Sequence, residues 1–197
     1  MNIAHADSAM IDKIQAGADG DGVLQALVPC PAELLNNELT TSYGDQEKQK
    51  VVDALRAEML AKYGYASWYD WCIANWGTKW DLCEVGMDRH DANCATLTFD
   101  TAWAPPIEAY EKLLEMGFEI EAFYYEGGMA FAGVWENGVD DCYSDIADSN
   151  DAANRLPREL DEMFNISENM AEWEREDEED LTRWVKDGIA AQEEAAQ

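Results

Sequence analysis

Apolar residues along the chain fall into short alternating runs and longer helical stripes. Met1 to Ala6 is apolar enough to predict an edge strand. Asp7-Ser8 then offers an N-cap for a helix with Met10, Ile11 and Ile14 on its inner face. Gly17 and the run Asp19-Gly20-Asp21-Gly22 end that helix, and Val23 to Val28 reads as a second strand stopped by Pro29-Cys30-Pro31. These pieces predict one β-α-β unit. Asp19 and Asp21 have the look of a calcium loop without its remaining ligands, so a turn is expected there. Pro31 to Gly44 is loop-like, with a helical turn at Ala32 to Leu35. Asp45 to Tyr63 reads as an amphipathic helix with Val51, Val52, Leu55, Met59, Leu60 and Tyr63 on one face, closed by Gly64. Trp68 to Asn75 adds a shorter helix before Gly77.

The pattern then changes to period two. Lys79 to Val85 and Ala95 to Asp100 predict two strands joined through the polar stretch GMDRHDAN, and Leu97 and Phe99 alternate with Thr96 and Thr98. Pro105-Pro106 fits the first turn of a helix whose inner face is Ile107, Tyr110, Leu113 and Leu114, with Gly117 after it. Phe118 to Tyr125 and Met129 to Trp135 read as strands around the Glu126-Gly127-Gly128 turn, the second of them central. Val139 to Tyr143 predicts a last short strand. From Leu156 the chain is helical and acidic: Pro157 opens a segment with Leu160, Met163 and Phe164 apolar. Ser167 is placed to cap a helix carrying Met170 and Trp173, and Leu181, Trp184, Val185 and Ile189 extend its stripe beyond EREDEED. That stripe predicts docking on the body of the protein or on a partner.

Five of the eight tryptophans (Trp68, Trp71, Trp76, Trp80, Trp103) lie between residues 68 and 103, with three of the five cysteines. Their area predicts the centre of the core. A chain of 197 residues that is 47% apolar has the material for one domain, or one domain with an appendage. The N-terminus lacks a basic region followed by a long apolar core, and no run approaches the ~20 residues of a membrane span. With five cysteines and no Cys-x-x-Cys, a reducing, cytoplasmic setting (that of a host cell) is expected.

Charge changes this picture most. The formal net charge is −29, distributed as −5, −4, −10 and −10 over residues 1–50, 51–100, 101–150 and 151–197. Such a field repels nucleic acid and anionic membranes and attracts basic surfaces, although solubility or salt adaptation would load the same charge.

Four stretches carry a resemblance. They are Val28-Pro29-Cys30-Pro31-Ala32-Glu33-Leu34, Asn75-Trp76-Gly77-Thr78-Lys79-Trp80, Leu97 through Pro106 (LTFDTAWAPP), and Tyr124-Tyr125-Glu126 through Phe131-Ala132-Gly133. In order and spacing the chain resembles the YubB-type ferredoxin-like proteins of phages and conjugative plasmids over roughly 110 residues. It departs from them at the N-terminus, where an Asn-Trp-Cys opening is absent, and in its heavier acidic C-terminal helix. The resemblance implies a ferredoxin-like α+β fold, a mostly antiparallel sheet with helices packed on one face, and a mobile-element origin. It implies no catalytic residues, and the motif residues read as structural: Trp and Gly for packing, Pro-Pro for starting a helix. Residues 1–150 are then the ferredoxin-like domain, with a helical insertion at about 45–76, and 151–197 an acidic helical extension.

No enzyme signature emerges. The metal candidates Cys83, His90 and Cys94, with Cys72 upstream, lack the close pairs of a zinc knuckle, so neither a metal nor another cofactor is expected. Tyr124, Tyr125, Phe131 and Trp135 could stack bases as a nucleic-acid-binding accessory module. With Lys112 the one basic residue between 101 and 150, core packing is expected instead and no direct nucleic-acid binding. What remains is the acidic surface: Glu108, Glu111, Glu115, Glu119, Glu121 and Glu126, then Asp140, Asp141, Asp145 and Asp148, then Glu172, Glu176, Asp177, Glu178, Glu179 and Asp180. Glu108, Glu111 and Glu115 recur at three and four residues and share one helix face. The expectation is a non-enzymatic protein that binds a basic host protein or nucleoprotein complex: a DNA mimic inhibiting a defence system such as CRISPR or restriction. A metal-dependent accessory protein is the other alternative.

Overall fold

The computed structural model describes residues 1–35 and 45–195. The fold is α+β. Six strands form one antiparallel sheet: β1 (Asn2–His5), β2 (Cys83–Arg89), β3 (Cys94–Asp100), β4 (Phe118–Glu126), β5 (Phe131–Glu136) and β6 (Val139–Tyr143). Their order is β2-β3-β1-β4-β5-β6. The helices are α1 (Ser8–Ala18), α2 (Val23–Leu27), α3 (Gln46–Tyr63), α4 (Trp68–Trp76), α5 (Ile107–Glu115), α6 (Ser149–Arg155), α7 (Arg158–Phe164) and α8 (Ile166–Ala195). The chain divides into two compact units, residues 1–122 with 135–140, and residues 123–134 with 141–197.

In the first unit, local chemistry sets most helix ends. The Asp7 carboxylate accepts from the Ala9 N–H to start α1, Asp45 accepts from Glu47 and Lys48 to start α3, and Ser67 starts α4. Gly64 and Gly77 end α3 and α4 in the left-handed conformation at φ +79° and +76°, where glycine has no Cβ to clash. Strand register then aligns the core. Ile3 lies between Ala95 on β3 and Ile120 on β4, while the neighbouring Asn2 lies between Thr96 and Glu121. The first set is buried with Ile11 and Ile14 of α1, Tyr110 and Leu113 of α5, and Phe118 and Trp135. The second set is polar and hydrogen-bonded: Thr96 Oγ1 donates to Asn2 Oδ1, and Asn2 Nδ2 to Glu121 Oε2. Alternation of side chains along each strand produces this separation.

The second unit is built on Ala132, Ile146, Ala152, Leu156, Leu160 and Ile166, with Phe123, Tyr125 and Val134 packed against them. Asp148 caps α6 by accepting from Asp151 N. The start of α8 is held by Asp161, whose carboxylate accepts from the Ser167 N–H at 2.7 Å and hydroxyl at 2.6 Å. Glu174 in turn accepts from Ser149 N and Oγ.

Several expectations change. Val23–Leu27 is helical, not a strand, so the N-terminal β-α-β unit does not form. β1 is an inner strand, paired on both sides. On α3, Val52 and Met59 are buried, whereas Val51 and Leu60 point outward. Residues 79–82 are not in a strand; β2 runs on through Arg89, so residues 86–89 of the expected loop are paired and the connection shrinks to residues 90–93. Ser167 lies inside α8, and Asp161 supplies the cap. Of the five clustered tryptophans only Trp71 and Trp76 are buried. The Asp19–Asp21 segment is a turn, the Ala32–Leu35 turn forms on the bond from Leu34 N to Pro31 O, and β5 is an inner strand as read. The rest of the Pro31–Gly44 loop lies outside the described residues.

Candidate functional site

The acidic residues divide between the units. In the first, Glu108, Glu111 and Glu115 lie exposed along α5, Glu119 and Glu121 lie on β4, and Asp140 on β6. Two of these carboxylates have local tasks: Glu121 accepts from Asn2, and Glu108 leans over Gly77 so closely that a Cβ there would collide with it. In the second unit, Glu126 accepts from the Met129 N–H in the β4–β5 turn, Asp148 is the α6 cap, and Asp141 and Asp145 are exposed. Asp145 takes φ +56°, a conformation that Asp tolerates better than most residues.

The densest group is on α8. From Ala171 to Asp187 every residue is exposed, including Glu172, Glu176, Asp177, Glu178, Glu179 and Asp180. Glu172 pairs with Arg175 and Asp180 with Arg183, each one helical turn away and well hydrated. Glu176 to Glu179 make no ion pair among the described residues. Trp173 is 56% and Trp184 74% exposed, with Leu181 and Val185 also exposed, so this stripe is not covered by the second core. Among the described residues, α8 packs into the second core through its first turns, at Ile166 and Met170. Ile189 lies beyond the described side chains.

Cys83 lies away from His90 and Cys94, whereas the His90 N–H donates to Cys94 O at 3.1 Å. Cys83 pairs with Asp100 and Cys94 with Ala4, which places them at opposite ends of the β2–β3 pair. His90 Nε2 lies 2.8 Å from Thr96 Oγ1. Among the described residues no three His, Cys, Asp or Glu side chains gather as a metal site. Cys94 is half-buried, and burial together with the neighbouring Asp91 carboxylate pushes its thiol up. Cys30 and Cys72 are buried side by side; burial, then the Cys30 thiol, pushes Cys72 up to about 12. A thiol held protonated is a poor nucleophile. A disulfide reagent at neutral pH is therefore expected to label exposed Cys83 and Cys142 quickly, and Cys30 and Cys72 only as the chain unfolds. Mass spectrometry of timed samples checks this, and fast labelling of Cys72 would contradict it.

Of the aromatic residues considered as a base-stacking platform, Trp135 is buried, whereas Tyr124, Tyr125 and Phe131 are half-buried. Trp135 lies against Tyr110 at 5.3 Å between centroids, Tyr124 against Phe131 at 6.2 Å, and Tyr125 against Phe164 at 5.8 Å.

One arrangement was not expected from the residues that form it. Lys79 Nζ sits 3.9 Å from the ring centroid of Trp80 and 3.8 Å from that of Trp103. Both rings are exposed, at 47% and 68%. Trp103 also adopts φ +70°, which costs a bulky residue on the order of 1–3 kcal/mol. The two loops that carry the rings are tied together: the Ala102 N–H donates to the buried Thr78 Oγ1 at 3.3 Å. Thr101 Oγ1 donates to Ala104 O at 2.9 Å, closing the turn around Trp103. The WGTKW and TAW segments carried this signal, but reading their tryptophans as core concealed it. Compared with family models, with curated proteins and with solved structures, the chain matches none.

Proposed function

We propose that this protein is a non-enzymatic acidic binder that occupies a basic, nucleic-acid-binding surface of another protein, with α8 as its main contact. One observation carries the proposal. Residues 172–180 hold seven carboxylates and one guanidinium, a net −6 over nine residues, all exposed. At 1.5 Å per residue this is about one net negative charge per 2 Å of helix axis. Duplex DNA carries about one per 1.7 Å. A groove lined with Lys and Arg to hold that polymer would accept such a helix, and its bound counterions would be released as they are by DNA. Trp173, Leu181 and Trp184 add apolar anchors of the kind that dominate interface energetics.

The β2-β3-β1-β4 order, with α1 after β1 and α5 between β3 and β4, supports a ferredoxin-like reading of the first unit, with β5 and β6 added beside β4. With the WGTKW and TAWAPP segments this supports membership of the YubB-type group and a phage or plasmid origin. In that setting the basic partner is a host defence complex of the CRISPR or restriction type.

The test is capture of partners from host lysate at low salt by the tagged wild type and by a variant with Glu176→Gln, Asp177→Asn, Glu178→Gln and Glu179→Gln. A nucleic-acid-binding complex held by the wild type, released by salt or by competing duplex DNA, and lost from the variant is the expected outcome. Equal capture by both proteins with unchanged salt dependence would overturn the proposal.

A further inference from the structure

We infer that Trp80 and Trp103 form a cage for a weakly hydrated organic cation, an alkylated ammonium or a guanidinium, and that Lys79 fills this cage in the free protein. The inference does not depend on α8. The space between the rings fits a cation, because an ammonium nitrogen already stands under 4 Å from both ring centroids. Both indoles turn their negative faces to it, the geometry that attracts a positive charge. The charge of the chain favours the same class of ligand: at −29 it draws cations in and turns anions away.

Lys79 itself points to a site that exchanges its occupant. The chain has 42 carboxylates, yet Lys79 makes no ion pair among the described residues and rests on two rings instead. A primary ammonium is strongly hydrated, so it gives up more on entering the cage than a methylated ammonium or a guanidinium does. Its four-carbon stem lets it swing out into water when such a cation arrives.

The cage is also built at a cost to the fold. Trp103 is held in a left-handed conformation that its side chain disfavours, while 68% of it remains in solvent. Neither burial nor backbone preference accounts for a tryptophan there. Around it the structure is set firmly by the Ala102–Thr78 hydrogen bond and by the close approach of Glu108 to Gly77, which itself has φ +76°. Strain retained by surrounding contacts is a mark of functional positions.

The test uses the full chain, with tetramethylammonium chloride as probe and sodium chloride at equal ionic strength as control. The indole N–H resonances of Trp80 and Trp103 report binding. They are expected to move saturably with tetramethylammonium and not with sodium. Lys79→Ala removes the internal competitor and is expected to tighten binding about five- to tenfold, the factor that follows if Lys79 leaves the cage free about 10–20% of the time. Trp80→Ala is expected to abolish binding. Trp103→Gly is expected to abolish it too while raising Tm by about 2–4 °C, because glycine accepts φ +70° without strain. The variant neutralised at residues 176–179 should bind the probe as the wild type does, which separates this site from the acidic helix. A capped peptide carrying trimethyllysine distinguishes sources: tighter binding than the free ion indicates a partner's side chain, and equal binding a free cation. Sodium-like responses, or loss of binding in Lys79→Ala, would overturn the inference. So would a Tm lowered in Trp103→Gly, which would make Trp103 a packing residue.

Discussion

Trp135→Ala is expected to cost about 3–5 kcal/mol of stability, read as a lowered urea midpoint, whereas Trp80→Ala should cost less than about 1 kcal/mol. The two residues are the same type in the same unit, and only their surroundings differ. Trp135 is 1% exposed and its ring lies against Tyr110, with Ile120 and Leu113 in the same core. Truncation removes the transfer free energy of a large ring and leaves a cavity that α5 and the sheet close only in part. Trp80 is 47% exposed and loses little beyond its contact with Lys79. A second readout follows from Tyr110. Burial pushes its phenol far above the usual range, so it stays protonated as the folded protein is made alkaline. The cavity beside it should admit water and lower that value, visible as tyrosinate absorbance appearing at lower pH in Trp135→Ala. If the variant kept wild-type stability and an unchanged phenol, Trp135 would not be a centre of this core.

This contrast also marks what could be read from residues alone. Hydrophobic period identified β3, because Thr96, Leu97, Thr98 and Phe99 must face opposite ways on a strand. Helix ends at Asp45, Gly64 and Gly77 were legible because a cap acts within one turn. Exposure of the α8 carboxylates was legible because charge demands solvent. The fate of each tryptophan was not, since an indole is apolar whether or not anything covers it. Trp76 found cover and donates its Nε1–H to Val28 O, while Trp80, four residues on, found none. The central place of β1 was hidden for a related reason: its partners, at Ala95 and Ile120, are set by register and not by anything in residues 2–5. The cage needs Lys79 and Trp103 brought together from two loops, which no local pattern announces.

The segment Val23–Leu27 shows the same limit with the larger consequence. Five residues of Val, Leu and Ala with one Gln fit a buried strand or a buried turn of helix equally well. A helix of that length does not hold itself together, because nucleation consumes most of what its few bonds return. The deciding group is 57 residues away. One oxygen of Asp81 accepts from the Leu24 N–H at 2.9 Å and the other from the Gln25 N–H at 2.7 Å. The first also accepts from the Leu82 N–H at 2.8 Å. Gly22 makes this possible, with φ +115° and no Cβ to strike the Asp81 carboxylate. At the far end the Gln25 side chain bonds both the N–H and the carbonyl of Cys30.

Asp81→Ala therefore leaves two half-buried N–H groups at the start of α2 without their acceptor, and is expected to cost about 2–4 kcal/mol. Asp81→Asn retains one oxygen without the charge and should lose about half as much. Gly22→Ala should match or exceed Asp81→Ala, since it adds backbone strain to loss of the same contact. Urea midpoints give the size, and hydrogen exchange at the Leu24 and Gln25 amides gives the place. Those two amides should lose protection in Asp81→Ala while the β1 and β4 amides keep theirs below the global unfolding limit. A loss under about 0.5 kcal/mol with protection intact would mean that apolar contacts of Val23, Leu24 and Leu27 suffice to hold α2. The expected result would instead make one carboxylate in the loop before β2 the reason this stretch is a helix.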